Sequence, residues 1–205
     1  MVKVCFFEKT PAFDIEKINA KALVSAEKFK KSKAPEIKRL TSLLGEMILR
    51  SALINEYNSK NTDIIIERTE NGKPYLKNIS DIYFNISHSG NAVAVAISDN
   101  EIGIDIEKIK TPNLKVAERF FTENEKKYIN SDIDFFEIWT KKEAYFKQLG
   151  KGISDDFSKT DILDKGIKTI TQNDFVISVS GENAENLSFN VINEAFNVIN
   201  EAFFA

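Results

Sequence analysis

Ile102-Gly103-Ile104-Asp105-Ile106-Glu107 is the stretch on which the reading of this chain turns. Side chains alternate faces along a strand, so Ile104 and Ile106 are set to enter a core while Asp105 and Glu107 share the opposite face. Two carboxylates on one strand face repel each other unless a cation lies between them. Hard oxygen donors suit Mg²⁺, which keeps several waters and takes substrate phosphates as further ligands. The pattern also describes a solvated acidic edge, and the hexapeptide alone does not separate the two readings.

Upstream, Ala92 to Ile97 reads as a short apolar strand, with Asp99-Asn100 the expected hairpin turn before Ile102. Ile82 to Ile86 reads as another, closing on Ser87-His88-Ser89-Gly90, which contains the single histidine. A loop of small hydroxyl residues and Gly at a strand end can offer backbone N–H groups to a phosphate, or be no more than a tight turn. Asn71-Gly72-Lys73-Pro74 predicts a turn and Ile64 to Ile66 a strand. Before them, apolar residues recur at three and four from Ile37 through Leu40, Leu43, Leu44, Met47 and Ile48, predicting a helix from Pro35 to about Tyr57. Lys17 to Lys33 is expected to be helical and Val2 to Phe7 a buried strand.

Downstream, helix-forming residues cover Val116 to Phe121, Glu123 to Ile129 and Asp134 to Leu149, where Gly150 and Gly152 stop the last helix. That helix carries Glu143 and Lys147 at i,i+4 on one face. Such a pair is either a surface ion pair worth a few tenths of a kcal/mol, or a third metal ligand or base beside a phosphate donor. Short strands are expected from Ile162 to Phe204. Phe189 to Ala195 and Phe196 to Ala202 are the same seven residues in tandem, to which we assign no role.

Composition bounds the rest. The 205 residues carry 28 Lys and Arg against 31 Asp and Glu, a net charge of −3. The charge is uneven: +5 over residues 1 to 60, −3 over 61 to 150 and −5 over 151 to 205. An acidic protein with a basic front argues against nucleic-acid binding but leaves room for a focused anion site. No apolar run approaches the roughly 18 residues of a membrane span. The lone Cys5 cannot form an internal disulfide, and the first eight residues do not read as a secretory signal, so a cytoplasmic location is expected. There is no zinc-type His and Cys cluster, no Walker glycine loop and no Gly-x-Ser-x-Gly elbow.

The order of these segments is more specific than any one of them. Asn71-Gly72-Lys73-Pro74, Phe84-Asn85-Ile86-Ser87-His88-Ser89-Gly90, Gly103-Ile104-Asp105-Ile106-Glu107, Arg119-Phe120-Phe121-Thr122-Glu123-Asn124-Glu125 and Trp139-Thr140-Lys141-Lys142-Glu143-Ala144-Tyr145-Phe146-Lys147 follow one another in a register that closely resembles the surfactin-type (Sfp-type) 4′-phosphopantetheinyl transferases. The likeness runs from about residue 25 to 155.

The resemblance implies an α+β, pseudo-twofold duplicated fold, each half a small antiparallel sheet packed on helices. Residues 1–100 would form the coenzyme A-binding half and 101–205 the half bearing the metal carboxylates, one compact monomer with the site in the cleft. It implies Mg²⁺-dependent transfer of the phosphopantetheine arm of coenzyme A to a serine of an apo acyl, peptidyl or aryl carrier protein, releasing adenosine 3′,5′-bisphosphate. By motif position Asp105, Glu107 and Glu143 would hold Mg²⁺, with Glu143 also the base and Lys147 the contact to the pyrophosphate. Lys73, Ser87 and His88 would bind the nucleotide and its phosphates, Lys28 and Lys31 the 3′-phosphate, and Ser42 would join them. Glu125 is implied as a helix acid near the metal. Two other classes remain open on the residues alone, a non-catalytic carrier-protein or coenzyme A-binding module and a Mg²⁺-dependent nucleotide hydrolase.

Overall fold

The computed structural model describes residues 1–9, 35–154 and 156–192. Its elements in chain order are β1 (Lys3–Glu8), α1 (Glu36–Tyr57), β2 (Ile66–Arg68), β3 (Pro74–Leu76), β4 (Tyr83–Ser89), β5 (Ala92–Ser98), β6 (Ile102–Lys108), α2 (Leu114–Phe120), α3 (Glu123–Tyr128), α4 (Asp132–Gln148), β7 (Lys168–Gln172), β8 (Phe175–Gly181) and β9 (Ser188–Val191). The helix expected at Lys17 to Lys33 and the second copy of the tandem heptad lie outside the described residues.

Helix α1 forms where the apolar spacing predicts it. Pro35 precedes its first turn, and Asn58 ends it in the left-handed conformation (φ 56°) that Asn tolerates better than most side chains. Its stripe of Leu40, Leu43, Leu44, Met47 and Ile48 is buried against one face of a four-stranded sheet of order β4-β5-β1-β9. Cys5, Phe7, Val93, Val95 and Ile97 supply that face. The alternate residues of the same strands, Val4, Phe6, Ala92, Ala94 and Ala96, point the other way. There they meet Ile102, Ile104, Ile106, Phe175, Ile177 and Val179 of a second, antiparallel sheet of order β6-β8-β7. Each such side chain removed from water contributes roughly 1.5–3 kcal/mol. Helix α4 covers the far face of that second sheet, so the layers run helix, sheet, sheet, helix. This is the α+β duplicated architecture, each sheet backed by one long helix. β9 pairs parallel to β1, with Lys3 opposite Ser188, and so joins the sheet of the first half.

Three local expectations change. Ser87, His88 and Ser89 are not a loop but the end of β4, paired in register with Ala94, Val93 and Ala92. Pairing with β5 takes up every second backbone N–H of this edge strand, and the turn waits for Gly90 at φ 56°. Asp99-Asn100 does not close a hairpin, because β5 and β6 belong to different sheets. The strand expected at Ile64 begins at Ile66; Ile64 is a buried residue that follows a 3₁₀ turn. Among the described residues no helix is long and apolar enough to cross a membrane.

Candidate active site

The site forms where β4, β6 and α4 meet. β4 and β6 run side by side without a shared backbone ladder, and side chains at every second residue of β4 join them. Asn85 Oδ1 accepts from the Ile104 N–H at 3.0 Å. Ser87 Oγ donates to Asp105 Oδ1 at 2.7 Å, and Ser89 Oγ donates to Glu107 Oε2 at 2.7 Å. The strand period of two puts these three on one face of β4, opposite the carboxylates of β6.

Helix α4 comes unusually close to the same strand. A Cβ on Gly103 would lie 2.0 Å from the Ala144 carbonyl oxygen and 2.4 Å from the Gln148 nitrogen, so only glycine allows this approach. Glu143 and Lys147, one turn apart on α4, thereby reach β6. Lys147 Nζ donates to Asp105 Oδ1 at 2.5 Å and to Ser87 Oγ at 3.1 Å. Asp105 is 4% exposed, and its second oxygen, Oδ2, is buried with no hydrogen-bond partner.

Ile86, Ser87, His88, Asp105, Glu107, Trp139, Glu143 and Lys147 line one pocket of about 290 Å³. Its electrostatics follow from crowding three carboxyls in a partly dry space. Burial, then the neighbouring Asp105, push the Glu143 carboxyl up to about 7, against the pull of Lys147. Burial also raises Glu107, opposed by its bond from Ser89. His88, at the mouth of the pocket, remains exposed by area, yet the atoms packed about its ring and then the Lys147 ammonium hold its pKa below the usual imidazole value.

The structure thus brings together Ser87, His88, Asp105, Glu107, Glu143 and Lys147, and leaves Ser42, Lys73 and Glu125 outside the pocket lining. Ser42 is exposed on α1, where its Oγ donates to the Lys38 carbonyl at 2.8 Å. Lys73 does not line the pocket; its ammonium sits on the Gln148 carbonyl at 2.7 Å and on Glu101, clasping the end of α4. Lys28 and Lys31 lie outside the described residues. Glu125, expected as a helix acid near the metal, does not line the pocket. It is fully buried, its oxygens accepting from Lys142 Nζ at 2.8 and 2.9 Å, from the Ile162 N–H at 3.0 Å and from the Thr122 N–H at 2.7 Å. Thr122-Glu123-Asn124-Glu125 is a capping box, and that signature, Thr followed by Glu at the third residue after it, could have assigned Glu125 to helix capping from the sequence. Asn85, Ser89 and the buried Lys142 are the residues that motif reading passed over.

The carboxylates offer oxygen donors only, the set that a hard divalent cation prefers. Asp105 Oδ2, buried and lacking a partner, is the oxygen such an ion would satisfy. Among the described residues no three His, Cys, Asp or Glu groups form a cluster able to hold an ion unaided. The two observations agree if phosphate and water oxygens complete the shell, as Mg²⁺ requires.

Two family descriptions match the chain in succession. The "4′-phosphopantetheinyl transferase, N-terminal" family covers residues 13–100 and the "4′-phosphopantetheinyl transferase superfamily" residues 101–192. Among curated proteins, the chain is 48% identical over 118 residues to the 4′-phosphopantetheinyl transferase gsp of Aneurinibacillus migulanus, an alignment covering 55% of this chain and 49% of that one. It is 40% identical over 126 residues to the 4′-phosphopantetheinyl transferase Sfp of Bacillus subtilis (strain 168), covering 57% and 56%. A 4′-phosphopantetheinyl transferase of Bacillus subtilis matches at 38% over 148 residues, 67% of this chain and 66% of the relative. The chain spans about half the length of the first two.

Proposed function

Because the chain belongs to the Sfp-type 4′-phosphopantetheinyl transferase family, we propose that it moves the phosphopantetheine arm of coenzyme A onto a serine of an apo acyl, peptidyl or aryl carrier protein. The observation that carries this reading is the unpartnered buried oxygen of Asp105 in the pocket that Glu107, Glu143, Lys147, Ser87 and His88 share. Asp105, Glu107 and Glu143 would hold Mg²⁺ against the coenzyme's pyrophosphate. The ion when bound would supply charge neutralisation on the phosphate oxygens.

The residues themselves do the following. Lys147 stands at the pocket wall with an ammonium that can move from Asp105 to a phosphate oxygen, since both are anions of similar reach. It would be the donor to the oxygen that leaves with adenosine 3′,5′-bisphosphate. The carrier serine is a poor nucleophile while protonated, and Glu143 is the carboxylate proposed to take its proton. One P–O bond forms to the serine, the pyrophosphate P–O bond breaks, and the proton ends on Glu143. Ser87 and His88 would hold the nucleotide phosphates. Lys28, Lys31, Ser42 and Lys73 are assigned to the same nucleotide by motif position; Ser42 and Lys73 stand apart from the pocket, so their contact requires a coenzyme that extends past it. The proposed division is a coenzyme-binding half (1–100) and a half bearing the metal carboxylates (101–205), with β9 of the second pairing to β1 of the first.

The test is mass spectrometry of apo carrier proteins incubated with the chain, coenzyme A and Mg²⁺. A gain of one phosphopantetheine, lost when the carrier serine is replaced, supports the transfer. Cleavage of coenzyme A without any carrier would replace this reading by a hydrolase, and binding without turnover by a binding module.

A further inference from the structure

Ser89 is one residue past the Ser87-His88 pair and plays no part in the chemistry above, yet its hydroxyl is engaged both as donor and as acceptor. Its Oγ accepts from the Lys108 N–H at 3.1 Å and donates to Glu107 Oε2 at 2.7 Å. A serine hydroxyl has one proton. With the backbone N–H occupying an acceptor site on the oxygen, that proton is directed at the carboxylate, and the direction is set by the two strands rather than by solvent. We propose that Ser89 is a positioning residue for Glu107, holding Oε2 and so presenting Oε1 to the pocket as the ligand oxygen. The inference rests on the Mg²⁺ reading of the pocket given above.

Three features of the fold support it. Ser87 treats Asp105 in the same way two residues earlier: with Lys147 it occupies Oδ1 and leaves Oδ2, buried, as the oxygen with no partner. Each strand carboxylate thus has one oxygen engaged by a β4 serine. Asn85 continues the row by accepting from the Ile104 backbone, so the same face of β4 that aims the carboxylates also replaces the missing ladder between the strands. Glu107, unlike Asp105, has several rotatable bonds and is only partly buried, so without Ser89 it has the freedom to turn away. Partners that orient ligating carboxylates typically matter 10- to 100-fold in metal affinity.

The experiment is calorimetric titration of Mg²⁺ into the full chain saturated with coenzyme A, without any carrier protein, so that no turnover enters the readout. Ser89→Ala is expected to bind Mg²⁺ about 10-fold more weakly, and Ser89→Thr, which keeps the hydroxyl and suits a strand, within about twofold of the parent. Ser89→Ala binding like the parent overturns the inference and leaves the metal reading intact. Ser89→Thr falling as far as Ser89→Ala also overturns it, since the hydroxyl would then not be the operative group. A parent chain that gives no Mg²⁺ binding at all overturns the metal reading and this inference with it.

Discussion

Replacing Glu143 by Gln removes one carboxyl from the pocket while keeping its size, and the consequence for stability can be worked from the structure. In the folded protein the group titrates at about 7, against 4.5 for an ordinary Glu. Below pH 4.5 both states are protonated. Between pH 4.5 and 7 the unfolded chain ionises and the folded one does not, so folding becomes less favourable as pH rises, and above 7 the loss is complete. The full shift corresponds to about 3 kcal/mol at 1.36 kcal/mol per unit. Solvent reaching this partly exposed group reduces that to on the order of 2 kcal/mol. We therefore expect the Glu143→Gln variant, measured by urea denaturation in chelator, to gain about 2 kcal/mol on the parent between pH 4.5 and 7.5. Taking the difference between the two proteins cancels the groups they share, apart from the weaker coupling to Asp105 and Glu107. Parallel stability curves across that range would refute the claim that Glu143 is held largely neutral by its surroundings.

Further expectations concern the groups around it. Asp105→Asn and Asp105→Ala should both abolish carrier modification while preserving the far-ultraviolet circular dichroism; retained Mg²⁺-dependent transfer in either would remove Asp105 from the ion site. Gly103→Ala should destabilise the chain by roughly 1–3 kcal/mol or more and lower turnover together, because the atoms its methyl meets are backbone of α4; an unchanged midpoint and rate would show that α4 can move without cost. Lys142→Met leaves Glu125 buried without its ammonium and should cost about 3–5 kcal/mol, and adding Glu125→Leu should recover most of that loss in thermal denaturation. No recovery would mean that Glu125 matters chiefly through its bonds to Thr122 and Ile162.

Much of the site was legible because its residues obey the strand period. Asp105 and Glu107 alternate with Ile104 and Ile106, and the sheet did bury one pair and direct the other to α4. The three-and-four spacing of α1 was equally plain. What the chain pattern could not show was the partner of each strand. Ala92 to Ile97 followed by Asp99-Asn100 and Ile102 to Ile106 has the local appearance of a hairpin, and only the packing of two sheets face to face, with Ala92, Ala94 and Ala96 against Ile102, Ile104 and Ile106, separates β5 from β6. Ser87 to Gly90 looked like a loop because serine and glycine favour turns, whereas pairing with β5 overrides that local preference. Lys142 is the clearest case of context deciding. In a run of Lys141-Lys142-Glu143 nothing local marks which lysine will be wholly enclosed, and the answer depends on α3 and residues 160–162 folding over it.

The parallel pairing of β9 with β1 bears on how the protein is made. Residue 3 is matched to residue 188, so the outer edge of β1 stays a bare row of amide donors and acceptors until residue 188 has been made. Such an edge invites association with other nascent chains, and a pairing this distant in sequence closes slowly.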